Sequence, residues 1–205
     1  MPGGYHEGLY LDGTDIWVNN GKNGNTWVVD TSSGKVKKHI NSIATFTEAI
    51  TSSGDGTYYI TDWDTMKLYR AEFDGSKFKV LKDMSFEPSH PAGAICTGDR
   101  LYVITWTRGM GTKFHLLELD LEGHLLSIIL IKCIMEPSQI AWDGKNLWIT
   151  SWYSKLVYKV DIDTWKAVAV FSSPVPDATG ILWDGNNMWI TGTHGDLYKL
   201  ELGAQ

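Results

Sequence analysis

Two stretches of the chain are copies of one another. Ile140-Ala-Trp-Asp-Gly-Lys-Asn-Leu-Trp-Ile-Thr-Ser-Trp152 and Ile181-Leu-Trp-Asp-Gly-Asn-Asn-Met-Trp-Ile-Thr-Gly-Thr193 align without a gap, 41 residues apart. Weaker copies precede them. Leu9-Tyr-Leu-Asp-Gly13 leads into Ile16-Trp-Val-Asn-Asn20, Ile50-Thr-Ser-Ser-Gly54 into Tyr58-Tyr-Ile-Thr-Asp62, and Ala94-Ile-Cys-Thr-Gly98 into Leu101-Tyr-Val-Ile-Thr105. The turn glycines Gly13, Gly54, Gly98, Gly144 and Gly185 are therefore 41, 44, 46 and 41 residues apart. A period of this length marks an array of supersecondary units, none of which buries its apolar face alone.

Each unit reads as strands. A short apolar run ends at a glycine turn, and an alternating run rich in β-branched and aromatic residues follows. Third runs come next at Thr26–Asp30, Lys67–Glu72, His115–Asp120, Leu156–Asp161 and Asp196–Glu201. Fourth runs close the first four units at Lys35–Ile40, Lys77–Lys82, His124–Lys132 and Lys166–Phe171. Four strands in about 40–45 residues make a propeller blade. The expectation is all-β: one five-bladed β-propeller over residues 1–205, with blades at about 6–46, 47–90, 91–136, 137–177 and 178–205. A β-sandwich with coincidental spacing is the competing fold, and the in-register Trp-Asp-Gly turns argue against it. The last blade has three strands, so its uncovered edge offers a route to an oligomer.

Composition narrows the function. Among 205 residues, 18 basic face 24 acidic side chains, for a net charge of −6, and the densest basic run is Lys35-Val-Lys-Lys38. Neither nucleic acid nor an anionic membrane surface is expected as a partner. The apolar stretch Leu125–Met135 is broken by Ser127 and Lys132 and is too short to span a bilayer. Cys96 and Cys133 show no CxxC spacing and make neither a disulfide framework nor a zinc site. Cys96 falls in an inner strand, where a buried and inert thiol is expected. No basic, apolar leader opens the chain, and the compartment stays open. GxSxG, Walker and HExxH motifs are absent, and no cofactor is expected.

Equivalent positions in successive blades form rings about the axis. One ring lies five residues before each turn Asp or its equivalent: Glu7, Glu48, Ala92, Ser138 and Thr179. A second follows each second strand: Gly21, Trp63, Trp106, Trp152 and Thr193. Inner strands begin where second strands end, so both rings belong to one mouth of the channel. Three tryptophans there suit an apolar or cationic ligand; the plainer reading packs them between blades. Glu7 and Glu48 come from adjacent blades. Like charge and burial would tune one of them for general acid/base work, whereas full exposure would leave both ordinary. His6, His90 and His194 fall near the same mouth and, with the two glutamates, would make a metal site for a lactonase-like hydrolase. Asp62 and Asp64 flank Trp63, either to meet a cation or to cap a turn.

These residues also resemble a known family, the plant and bacterial glutaminyl cyclases (glutamine cyclotransferases), which are five-bladed propellers. Tyr5-His-Glu-Gly-Leu9 resembles the family's Phe-Thr-Gln-Gly-Leu, and Phe46-Thr-Glu-Ala-Ile50 its Phe-Gly-Glu-Gly-Ile. Leu101-Tyr-Val-Ile-Thr-Trp106 is similar to Leu-Tyr-Gln-Leu-Thr-Trp, and Thr179-Gly-Ile-Leu-Trp-Asp184 to Asn-Gly-Ile-Ala-Trp-Asp. Ile190-Thr-Gly-Thr193 and Asp196-Leu-Tyr-Lys-Leu200 resemble its Val-Thr-Gly-Lys and Leu-Phe-Glu-Ile endings. The resemblance implies cyclisation of an N-terminal glutamine, with Glu48 as the proton shuttle. Tyr5, Glu7, Trp63, Trp106, Ser138, Trp152 and Thr193 would form the substrate shell, with no metal. The shell departs from the family: its Gln is Glu7 here, its pocket Asn falls at Ser138, its late Lys is Thr193, and a Trp of the third blade falls at Ala92. Glu7 could hold an α-ammonium group instead. A ligand- or protein-binding propeller without turnover is the alternative function.

Overall fold

The computed structural model describes residues 3–109, 112–131 and 134–200, and of Asn23 the backbone alone. Its strands form five antiparallel sheets, each in strict chain order. Blade 1 contains β1 (His6–Asp12), β2 (Asp15–Asn20), β3 (Asn25–Asp30) and β4 (Val36–Asn41). Blade 2 contains β5 (Thr47–Ser52), β6 (Thr57–Asp62), β7 (Lys67–Phe73) and β8 (Phe78–Ser85). Blade 3 contains β9 (Ser89–Thr97), β10 (Arg100–Thr107), β11 (Lys113–Asp120) and β12 (Leu125–Ile129). Blade 4 contains β13 (Pro137–Trp142), β14 (Asn146–Ser151), β15 (Leu156–Asp161) and β16 (Lys166–Ser172). Blade 5 contains β17 (Ala178–Trp183), β18 (Met188–Gly192) and β19 (Leu197–Leu200). The sequence predicts a longer fourth run in blade 3. β12 stops at Ile129 because Leu130 and Ile131 leave the sheet to line an apolar cavity between blades 3 and 4. Lys132 and Glu201, at the ends of two expected runs, lie outside the described residues.

The repeated Trp-Asp-Gly turn has a physical basis. Asp143 accepts the backbone N–H groups of Lys145 and Asn146 at 2.9 and 2.6 Å, and the Trp148 indole N–H at 2.8 Å. Asp184 repeats the pattern with Asn186, Asn187 and Trp189 at 2.8, 2.7 and 2.7 Å. The next residue, Gly144 or Gly185, stands at φ of +93° or +99°, which L side chains avoid. One carboxylate thus ties the inner hairpin turn to the second strand. These donors, which outweigh partial burial, hold both acids below the ordinary carboxylate range.

Each blade buries its faces against its neighbours. Trp17 and Val28 meet Ile50 and Ile60 between blades 1 and 2; Tyr59 and Leu68 meet Ala94 and Val103 between 2 and 3. Ile104 and Leu116 meet Ile140 and Ile149 next, then Ala141 and Trp148 meet Ile181 and Ile190. The fifth cluster, of Leu9, Ile16, Val18, Leu182 and Trp189, joins blade 5 to blade 1. At about 1.5–3 kcal/mol for each large apolar side chain removed from water, these interfaces hold the ring. Among the described residues, blade 5 joins blade 1 without an exchanged strand. The His6 N–H donates to the Thr193 carbonyl at 3.1 Å, and the Thr179 hydroxyl donates to the His6 carbonyl at 2.8 Å.

Candidate functional site

Every inner strand slips register near its start, at His6/Leu9, Thr47/Ile50, Pro137/Ile140 and Ala178/Gly180, with the matching slip of blade 3 opposite Val103/Thr105. A second-strand threonine occupies such slips: Thr61 Oγ1 accepts the Ala49 N–H at 2.8 Å, and Thr150 Oγ1 accepts the Gln139 N–H at 3.0 Å. Bulges re-aim side chains. Here they fall on the first-ring positions, and Glu7, Glu48, Ala92 and Ser138 line one cavity of about 370 Å³. Trp63, Trp106 and Trp152 of the second ring line it too, with Tyr5, Lys22, Phe46, Asp64, Arg108 and Tyr153.

The pocket is closed below. Gln139 is 2% exposed, and its Nε2 donates to the Glu48 carbonyl at 2.9 Å. A Cβ at Gly8 would lie 3.1 Å from Gln139 Nε2, and one at Gly93 would lie 3.1 Å from its Oε1. The side chain of blade 4 thus crosses the axis to reach blades 1, 2 and 3. At both glycines the closest neighbour is the backbone of an adjoining inner strand, the Glu48 carbonyl at Gly8 and the Ser138 carbonyl at Gly93.

Glu7 and Glu48 form the floor, 1% and 8% exposed. Burial first, then the neighbouring Glu48 with its side-chain hydrogen bond, then Asp177 raise Glu7 well above the ordinary carboxyl range. Burial also lifts Glu48, to about 8; Asp64 adds to the rise, while the hydrogen bond from Glu7 and the charge of Arg108 oppose it. Glu7 Oε2 has no conventional donor among the described residues. A proton kept on Glu7 and directed at Glu48 satisfies both carboxyls, as expected for two acids that cannot both ionise in a dry site. The Tyr5 hydroxyl, pushed up to about 12 by burial and then by Glu7 and Glu48, stays protonated above them.

The walls are aromatic. Tyr5 stacks on Trp152 with centroids 6.4 Å apart and meets Phe46 edge-on at 5.9 Å. Trp63 stacks on His90 at 4.7 Å and meets Trp106 edge-on at 5.7 Å. Trp106 also belongs to the packing between blades 3 and 4, and its indole N–H donates to the Pro137 carbonyl at 2.7 Å. It is therefore both wall and core. Asp62 serves the plainer role considered above: its buried carboxylate accepts the Thr45 and Phe46 N–H groups at 2.8 and 3.0 Å and fixes the entry into β5. Asp64 lines the cavity.

Thr193 does not join the wall. It is 2% exposed, and its hydroxyl donates to Asp177, which comes from the loop before β17. Gly21 leaves no side chain at its ring position because the Phe46 ring occupies that space. The metal reading finds no donor set: among the described residues no three His, Cys, Asp or Glu side chains are grouped to hold an ion. His90 Nδ1 is 2.8 Å from the Trp63 carbonyl, His6 Nδ1 is 3.1 Å from the Gly195 carbonyl, and His194 meets the Tyr5 ring edge-on. Burial pushes the Cys96 thiol up to about 12, an inert state. Cys133 lies outside the described residues.

Lys22, Phe46, Asp64, Arg108 and Tyr153 were not among the ring candidates. Lys22, Asp64 and Tyr153 each immediately follow a second-ring position, and Arg108 lies two residues beyond Trp106. A third ring, displaced by one residue, was the available signal.

The fold is a five-bladed β-propeller, with a cavity at one mouth that Glu7 and Glu48 line. No family model matches the sequence, and no curated protein matches it. Among solved structures, glutaminyl cyclase of Myxococcus xanthus is similar in fold. It is 14% identical with a TM-score of 0.75, over 96% of this chain and 90% of that one. Luciferin-regenerating enzyme is 12% identical with a TM-score of 0.66, over 98% and 94%. A nidogen/laminin complex is 14% identical with a TM-score of 0.67, over 98% and 77%. At these identities the likeness is one of fold.

Proposed function

We propose that the axial pocket takes a peptide N-terminus or a similar small molecule and cyclises an N-terminal glutamine, with Glu48 moving the proton. The observation that carries this reading is the buried Glu7–Glu48 pair at the foot of a Trp-walled cavity. The fold shared with a glutaminyl cyclase supports it.

The neutral α-amine nitrogen attacks the side-chain amide carbon, and a C–N bond forms. Glu48, as carboxylate, takes the proton that this nitrogen sheds. It returns the proton to the amide nitrogen, the old C–N bond breaks, and ammonia leaves with a five-membered lactam behind it. A free α-amine titrates at about 7.7–8.0, close to the raised Glu48, so the neutral amine and the carboxylate coexist near that pH. Glu7 carries its proton throughout. A protonated glutamic acid has the shape and hydrogen-bonding reach of glutamine, the residue at this place in the family that the sequence resembles. Trp63, Trp106, Trp152 and Tyr5 enclose the chain of the substrate and exclude water. Ser138, 4% exposed on the wall, supplies a hydroxyl toward the amide.

The test is ammonia release from a glutamine-initiated peptide by the wild type and by Glu48→Gln. Release that vanishes in the variant is expected. No release from the wild type removes the cyclase reading and leaves a binding propeller, which the retreat of Thr193 from the wall and Ala92 in it favour. Peptide binding that survives in Glu48→Gln marks that second case.

A further inference from the structure

Two cations at the mouth of the pocket make no ion pair among the described residues. The chain has three arginines. Arg70 pairs with Glu122, and Arg100 with Asp99 and Glu118. Arg108 makes no ion pair among the described residues. Its guanidinium instead lies over the Trp63 ring, 4.9 Å from the centroid, while Lys22 Nζ lies 4.6 Å from the centroid of Tyr5. Both side chains are exposed and line the cavity.

The charges therefore run in order from floor to rim. Glu7 and Glu48 share a proton below; Asp64, Lys22 and Arg108 stand above. A guanidinium held over an aromatic face without an acid partner has N–H donors to spare, a planar fork that fits a carboxylate. A substrate with its α-amine at Glu48 points the rest of its chain at this rim. We infer that the pocket selects glutaminyl substrates carrying a carboxylate directly after the glutamine, held by Arg108 with Lys22 in support. The inference rests on the cyclase reading of the same pocket. The carboxylate is either an acidic second side chain or a free C-terminus.

Four dipeptides separate these sources: Gln-Glu amide, Gln-Ala with a free carboxylate, Gln-Ala amide and Gln-Lys amide. Either carboxylate should raise kcat/KM by roughly fivefold over Gln-Ala amide, the scale of an exposed ion pair, with the gain in KM. Gln-Lys amide should be poorest. The preference should collapse in Arg108→Ala, persist in part in Arg108→Lys, and fade in about 1 M salt, where screening acts within about 3 Å. Equal kcat/KM for all four peptides overturns the inference, as does a preference unchanged in Arg108→Ala. If no peptide is turned over, the cyclase reading fails and the binding arm decides. Tryptophan fluorescence should then show tighter binding of the acidic peptides by the wild type and no such preference in Arg108→Ala. Equal affinities, or no binding, overturn it.

Discussion

The hairpin turns at one end of the blades and the pocket at the other both hold buried or half-buried carboxylates, and treat them in opposite ways. Asp143 and Asp184 receive two backbone N–H groups and an indole N–H each, and ionise more readily than usual. Glu7 and Glu48 lie in a drier place, face one another, and resist ionisation. The number of donors, not the type of acid, decides which carboxylate builds the fold and which can exchange a proton. The turn acids Asp143 and Asp184 stand at the same point of two successive blades, where blades 2 and 3 have Ser53 and Thr97. The pocket acids come from only two of five equivalent positions, as a site at the axis requires.

Glu48→Gln breaks the comparison most sharply. It leaves packing and shape intact but removes the shuttle. Turnover of a glutamine-initiated peptide should fall by about 10²–10⁴, with an unchanged circular dichroism spectrum. Asp143→Ala acts at the other end. The Trp148 indole N–H and two backbone donors lose their acceptor, and stability in urea should drop by about 2 kcal/mol. KM and kcat should hold once the protein is folded.

The two ends also divide the pH response. The pocket carboxyls have raised folded pKa values, so their contribution to stability is whole below the ordinary value of 4.5. It is lost as pH rises through the folded value, about 8 for Glu48. Asp143 and Asp184 have depressed values, so theirs is present above 3.8 and lost as pH falls through the lower, folded value. Unfolding free energy should therefore decline between about pH 5 and pH 8, and the decline should be shallower in Glu7→Gln. A steady or rising stability over that range would show that the pair is not protonated. The smallest effect belongs to the pocket floor. Gln139→Leu removes one donor to the Glu48 carbonyl, which Asn19 Nδ2 still approaches at 3.5 Å, and should cost about 1 kcal/mol in urea.

Much of this was legible in the sequence because the repeat enforces register. The turn glycines Gly13, Gly54, Gly98, Gly144 and Gly185 all stand at positive φ, and among the described residues the last blade has three strands. Counting back from the turns found Glu7, Glu48, Ala92 and Ser138, because a bulge recurs at the same place in each inner strand. Register fails where the chain leaves the blade. Thr193 has the right number, but Asp177, in a loop with no repeat, takes its hydroxyl. Arg108 and Tyr153 lie in loops whose paths depend on tertiary contacts. Gln139 was invisible for another reason. Its place depends on partners far away in sequence, the Glu48 carbonyl and the glycines at 8 and 93.

The claim that the pocket acids share a proton is open to direct measurement. Carboxyl ¹³C resonances of glutamate, followed against pH in the wild type, Glu7→Gln and Glu48→Gln, report each group. The expected result is that at neutral pH at least one of the two carboxyls remains protonated, that titration of the pair extends to about pH 8 or above, and that removing either partner moves the other. Two independent titrations near 4.5, the same in wild type and variants, would contradict the account.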